Sequence, residues 1–230
     1  MRVRQGILEK PDSIAGIGVL DLQGGVVEHL EHLATLGLPA RRVKGAADLE
    51  DLSGLILPGG ESTCLIRLLR CGGLDREIAE RFNAGLKLWG ICAGAVLLAR
   101  EVVGEIATLI ATLGLMDIRI QRNAFGSQLD SFNRTLAVPA VAPEPIPLTF
   151  IRAPKILYLG KGVSSLLEID GYCAAAEDHD SLVTVFHPEL TPSLAFHRYF
   201  ASKCEIQLPT RQTIPTAWRA DSWVGYAPIP

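Results

Sequence analysis

Cys92 stands between two glycines, in Gly90-Ile91-Cys92-Ala93-Gly94, after an apolar run at 86–89 and before a helix-like stretch. A strand, a G-x-C-x-G turn and a helix in that order make the thiol counterpart of a nucleophile elbow, whose strained turn lifts one side chain above a sheet. The chemistry on offer is nucleophilic attack on a carbonyl. A thiol is a weak nucleophile until it ionises; the positive end of the following helix and a neighbouring imidazole are the usual aids. The amide of Ala93 is placed to donate to the oxyanion that such an attack creates.

The imidazole on offer is His187, in His187-Pro188-Glu189, directly after the apolar run 182–186. Residues two apart in extended backbone share a face, so His187 and Glu189 can point the same way. Pro188 keeps its neighbour extended and ends the ladder, which places the pair at a strand terminus. A carboxylate there can accept one ring N–H and leave the other nitrogen for a thiol. His29, His32, His179 and His197 compete for the role of base. For His29 and His32, on a helix with Glu28 and Glu31, solvated pairing is the simpler expectation. None of these residues shows a zinc-ligand spacing, and no metal is expected. Cys64, Cys71, Cys173 and Cys204 lack the setting of Cys92 and read as inert.

A third piece is Pro58-Gly59-Gly60-Glu61-Ser62-Thr63, a glycine turn after the strand-like Leu55-Ile56-Leu57. Ser62 or Thr63 is available to cap the helix that follows. The amides of Gly59 and Gly60 could hold an anion or a developing oxyanion. The rival reading, a phosphate loop, lacks its G-K-[ST] signature.

The elements that must position these residues alternate along the chain. Strands are expected at 17–22, 54–57, 86–89, 118–121 and 182–186, and helices at 26–36, 62–69, 75–84, 95–100 and 193–203. This reads as an α/β fold of three layers, a mainly parallel sheet covered by helices on both faces, with chemistry at the carboxyl ends of the strands. The 230 residues suit one domain, set at 14–204, with an N-terminal extension at 1–13 and a Pro-rich tail at 205–230 that carries Trp218 and Trp223. Prolines at 139, 143, 145 and 147 should break any regular element between 136 and 148 and leave an exposed connection. A formal charge of -3 offers no basic surface for nucleic acid. Five cysteines without C-x-x-C spacing fit a reducing compartment, with the cytoplasm as default. The opening segment is too polar for a signal-peptide core, no apolar run could span a bilayer, and no membrane partner is expected.

Together the motifs closely resemble the PdxT/SNO family of class I glutamine amidotransferases, the glutaminase subunits of pyridoxal 5'-phosphate synthase. The resemblance runs from about Ile17 to about Phe200. It is carried by Leu20-Asp21-Leu22-Gln23-Gly24 with Glu28-His29, Leu57-Pro58-Gly59-Gly60-Glu61-Ser62-Thr63, Gly90-Ile91-Cys92-Ala93-Gly94, Arg122-Asn123-Ala124-Phe125-Gly126, Phe150-Ile151-Arg152-Ala153-Pro154 and Phe186-His187-Pro188-Glu189-Leu190-Thr191. The G-x-C-x-G and H-x-E pieces are shared among glutamine amidotransferases; the R-N-x-F-G and I-R-A-P pieces point to this family. The resemblance implies a flavodoxin-like domain without a cofactor. It implies hydrolysis of L-glutamine through a thioester on Cys92, with ammonia passing to a separate synthase subunit in a hetero-oligomer. By matched position, Gly60, Glu61, Ser62, Arg122, Ile151 and Arg152 would contact glutamine, an arginine clamping its α-carboxylate and Glu61 facing its α-ammonium. Gln23 matches a position beside the oxyanion region and the synthase contact, which implies a chain that is slow until its partner docks.

Two positions depart from the family pattern: Ile91 stands where threonine is usual, and Ser127 where arginine is frequent. Two other readings compete. One keeps the amidase and gives the ammonia to another acceptor, such as the imidazole glycerol phosphate pathway; the other is a catalytically silent subunit that stabilises a synthase.

Overall fold

The computed structural model describes residues 16–104, 112–122 and 131–209. Along the chain run β1 (Gly16–Leu20), α1 (Val26–Thr35), β2 (Ala40–Val43), β3 (Leu52–Leu57), α2 (Ser62–Cys71), α3 (Leu74–Asn83), β4 (Lys87–Ile91), α4 (Ala93–Leu98) and β5 (Ala99–Val103). They are followed by β6 (Met116–Gln121), β7 (Phe132–Leu136), β8 (Ile146–Phe150), β9 (Lys155–Leu159), β10 (Ser164–Ile169), β11 (Tyr172–Glu177), β12 (Ser181–Thr184) and α5 (Ala195–Lys203). Every strand and helix expected from the sequence is present, with ends displaced by two residues at most. The helix after Cys92 begins at Ala93 rather than at residue 95 and gives way at once to β5.

The strands of one sheet lie in the order β2-β1-β3-β4-β12-β11-β9-β6-β5, with β10 paired to β11. From β2 to β12 every pairing is parallel. Beyond β12 the sheet turns antiparallel through β11, β9 and β6, and closes on the parallel pair β5-β6. Strands β1, β4 and β12 read as almost unbroken apolar runs because both their faces are covered. Two consecutive residues of β4 show what covers them. The Trp89 ring, fully buried, meets the rings of His29 on α1 and of His197, Phe196 and Phe200 on α5. Gly90, on the opposite face, lies against the backbone of Gly94 in α4. Helix α2 packs beside α4 and α3 beside α2, giving the third layer.

The proline-rich connection differs from expectation. Ile146–Phe150 is a strand, paired antiparallel with Phe132–Leu136 as a two-stranded ribbon in which Pro147 sits opposite Thr135. A ribbon leaves each strand one unpaired side, where a missing N–H is tolerated. Val138, Ile146 and Leu148 are buried, so the segment is packed onto the body rather than exposed. Its apolar contacts include Phe150 against Phe186, at 5.4 Å between ring centroids. Residues 123–130 and 210–230, which hold most of the R-N-x-F-G motif, Ser127 and the tail tryptophans, lie outside the described residues. Among the described residues no helix is long and apolar enough to cross a membrane.

Candidate active site

Three neighbouring parallel strands end level with one another and each delivers one piece. Leu57, the last residue of β3, pairs with Gly90, and Thr184, the last of β12, pairs with Ile91. The turn Pro58-Gly59-Gly60, Cys92 and His187 therefore emerge side by side at the carboxyl edge. Cys92 itself donates its N–H to the Thr184 carbonyl at 2.8 Å, locking the elbow to the strand that leads to His187.

Cys92 adopts φ 50° and ψ -101°, a strained conformation for a side-chain-bearing residue. The glycines around it answer to close backbone approach. A β-carbon on Gly90 would stand 2.6 Å from the Gly94 carbonyl oxygen, and one on Gly94 would collide with the Leu57 carbonyl. Turn and helix are thus pressed onto the ends of β3 and β4. Ile91, the departure from the family pattern, is fully buried in the strand.

His187 is fixed from both sides. Its backbone N–H donates to the Thr149 carbonyl at 2.7 Å, which ties it to β8. Its ring Nδ1 lies 2.7 Å from Glu189 Oε1, and the ring lines the same pocket as Cys92. Gly59 approaches so closely that a β-carbon there would stand 2.5 Å from His187 Cε1. Burial by itself would depress the basicity of this imidazole. The carboxylate of Glu189 and the neighbouring Cys92 outweigh it, and the ring titrates well above the ordinary histidine value. Glu189 is 1% exposed; burial pushes its carboxyl up, and the His187 and His29 rings more than compensate, so that it lies below the usual range.

A pocket of about 320 Å³ opens over this edge, lined by Cys92, Ala93, Val96, His187, Gly60, Glu61, Ser62, Arg122, Ile151, Arg152 and Pro154. All six residues expected to contact substrate are brought to it. Glu189, Gly59 and Gln23 stand behind its wall. Gln23 bridges the pocket's glycine turn: its Oε1 accepts the Glu61 N–H at 3.0 Å and its Nε2 donates to Cys64 Sγ at 3.0 Å. Cys64, read as inert, is thereby part of the support of the turn.

Two expectations need correction. The helix cap is neither Ser62 nor Thr63 but Glu61, whose carboxylate accepts the N–H groups of Thr63 at 3.0 Å and Cys64 at 2.7 Å. The same carboxylate pairs with Arg122 at 2.8 Å, which also donates to Thr63 Oγ1 at 3.2 Å. Burial raises the Glu61 carboxyl, and these donors bring it below its ordinary value. Glu61 and Arg122 thus satisfy one another. Arg152, at φ 45°, faces the pocket with no ion pair among the described residues.

The second correction concerns the histidines. His29, His32 and His197 are buried, not solvated. The face of α1 that carries Val26, His29 and Leu33 packs inward, and His29 meets His197 of α5 at 2.8 Å, Nδ1 to Nε2. His32 bonds the Glu28 and Thr191 carbonyls. His179 lies at the other end of β12, exposed beside Asp180, so only His187 among the five reaches Cys92.

This architecture is that of the class I glutamine amidotransferases. A crystal structure of a glutamine amidotransferase superposes with a TM-score of 0.77 at 39% identity, covering 83% of this chain and 99% of that one. Within the class, the chain belongs to the SNO glutamine amidotransferase family, whose model matches residues 19–206. Among its relatives is the pyridoxal 5'-phosphate synthase subunit PdxT of Syntrophus aciditrophicus, 52% identical over 215 residues, 92% of this chain and 94% of that protein. The protein of the same name from Clostridium kluyveri is 45% identical over 188 residues, 82% of this chain and 98% of the relative.

Proposed function

We propose that the chain hydrolyses L-glutamine through a thioester on Cys92 and delivers the ammonia to a pyridoxal 5'-phosphate synthase subunit for vitamin B6 biosynthesis. The observation that carries the chemistry is the Cys92 elbow beside an imidazole held at 2.7 Å by a buried carboxylate. The acceptor is supported by the names of the relatives, which are subunits of that synthase.

The steps follow from the atoms at the edge. His187 takes the proton of the Cys92 thiol through the ring nitrogen that Glu189 leaves free. The thiolate attacks the side-chain amide carbon of glutamine, and the oxyanion is received by N–H groups of Ala93 and the Gly59-Gly60 turn. The imidazolium protonates the leaving nitrogen, ammonia departs and the thioester remains. Water, deprotonated by His187, then releases glutamate and restores the thiol. Arg152 is the guanidinium available to the α-carboxylate. Arg122 acts on substrate through Glu61, or directly once that pair opens.

Glutamine-dependent ammonia release, measured with and without the synthase subunit from the same source, tests the proposal. Strong stimulation is the expected result, from a chain that is slow alone. Release indifferent to the synthase would remove the proposed acceptor. No release in either mixture would leave a silent subunit. Cys92→Ala should abolish release and keep synthase binding, His187→Asn should remove the base, and Glu189→Ala should cost less than either.

A further inference from the structure

Glu189 has two carboxylate oxygens, and the contact with His187 uses one. The other, Oε2, is buried without a hydrogen-bond partner among the described residues. It faces Nε2 of His29 at 3.7 Å, an atom that is likewise buried and without another partner there. On the far side of the same ring, His29 Nδ1 lies 2.8 Å from His197 Nε2. His29 and His197 are both 0% exposed, walled by the Trp89 ring and by His32, which stacks on His197.

A neutral imidazole carries a single N–H, so the tautomer can be argued. With the proton on Nδ1, a lone pair of His29 would point at a carboxylate oxygen in a dry interior. With the proton on Nε2, the carboxylate gains a donor and Nδ1 accepts the N–H of His197. One tautomer of each ring thus serves both contacts. The ring is held neutral mainly by burial, which brings His29 down to about 4 against the opposing pull of Glu189. The remaining distance is short enough to close as catalytic contacts tighten in the working complex.

We propose that His29 is a positioning residue: its Nε2–H holds the second oxygen of Glu189, and His197 fixes its tautomer, so that the carboxylate cannot turn away from His187. The role rests on the reading of Cys92, His187 and Glu189 as the catalytic group. The titratable groups that face this pair are His187 beyond the carboxylate, His32 and Glu28 on α1 and His197 on α5.

The first test is nitrogen-detected NMR of the full chain labelled in histidine. His29 should remain neutral and protonated at Nε2 between about pH 8 and pH 5.5; an Nδ1-protonated or charged ring would overturn the role without any variant. The second compares His29→Leu with His29→Gln in the ammonia-release assay with the synthase present. An unpartnered buried carboxylate oxygen should lower kcat of His29→Leu about ten- to a hundredfold at little-changed KM. The acid limb of its pH profile should move up, because the carboxylate has lost a donor. His29→Gln, which can donate to Glu189 and accept from His197, should restore both rate and limb. A wild-type chain that releases ammonia while both variants match it, or lose activity equally with an unmoved acid limb, overturns the positioning role alone. A wild-type chain that releases none, with Cys92 alkylated no faster than exposed Cys71, overturns the catalytic reading and this role with it.

Discussion

Acidification should unfold this chain in a pH window set by its buried histidines, and His29 lets the size of the effect be worked out. In the unfolded chain its ring titrates near 6.5, and in the folded chain at about 4. Its folded value is depressed, so the unfolded state binds the proton first and stability falls with pH across the interval between the two. At pH 4.5 the unfolded ring is about 99% protonated and the folded ring about one quarter. Integrated from pH 7, that difference is worth about 2 kcal/mol, a large share of a stability of about 5–15 kcal/mol. His197 is also depressed, chiefly by burial, and acts in the same direction. His187 has the opposite sign: its raised value gives stability that is complete below about 6.5 and is lost as pH rises through the folded value. The depressed carboxyl of Glu189 gives stability that disappears only as pH falls through its folded value, below the ordinary 4.5. The window from about 6.5 to 4.5 therefore belongs to the two buried rings. The assay is chemical denaturation of wild type and His29→Gln, followed by circular dichroism at several pH values. The variant should lose about 2 kcal/mol less than wild type between pH 7 and pH 4.5. Parallel losses in the two proteins would refute the claim that His29 is held neutral in the core.

Three further outcomes follow from contacts around the pocket. Gly94→Ala should destabilise the fold by about 1–3 kcal/mol or more, since its new β-carbon must displace the Leu57 carbonyl; an unchanged Tm would contradict the close approach of α4 to β3. Arg152→Ala should raise KM for glutamine about ten- to a hundredfold with a smaller effect on kcat, the worth of a charge-assisted bond to a carboxylate; steady-state kinetics that show only a kcat effect would count against the clamp. Gln23→Ala releases both ties of the glycine turn and should lower kcat more than it changes KM; full activity would mean that the turn holds its shape without them.

The parallel half of the sheet was legible because its physics is written locally. A strand covered on both faces must be apolar throughout, and β1, β3, β4 and β12 each show such a run between glycines or charges. Apart from β6, expected at 118–121, the antiparallel half was not, and neither was β2 at the outer edge of the parallel half. β2 is exposed at three of its four positions, β7 is half-exposed or exposed throughout, and β10 alternates unevenly through two register shifts. Their apolar content is too low or too irregular to stand out, and their pairing partners are distant in the chain. The ribbon of β7 and β8 was missed for a sharper reason: Pro147 argues against a strand everywhere except on an unpaired side, and the sequence does not say which side is unpaired.

In the site, the pieces that could be read were those in which chemistry imposes a local pattern. A nucleophile at an elbow needs small neighbours, and Gly90 and Gly94 supply them within two residues; a base and its orienter need a short spacing, and His187 and Glu189 have it, although Glu189 reaches the ring from the 3-10 turn Pro188–Leu190 and not from the extended backbone that the sequence suggested. Nothing local distinguishes a buried histidine from a solvated one. His29 and His32 sit three apart beside glutamates, the pattern of a wet helix face, and become a core feature only because α5 and Trp89 close over them. Glu61 shows the same limit from the surface. Its charge suggests a ligand for an ammonium, but three donors of this chain, the N–H groups of Thr63 and Cys64 and the Arg122 guanidinium, already converge on it. A carboxylate so engaged positions the glycine turn and Arg122 together, and binding substrate through it requires that arrangement to be loosened. In the proposed mechanism, substrate affinity at this pocket is therefore coupled to the turn whose N–H groups receive the oxyanion, and so to Gln23, which ties that turn.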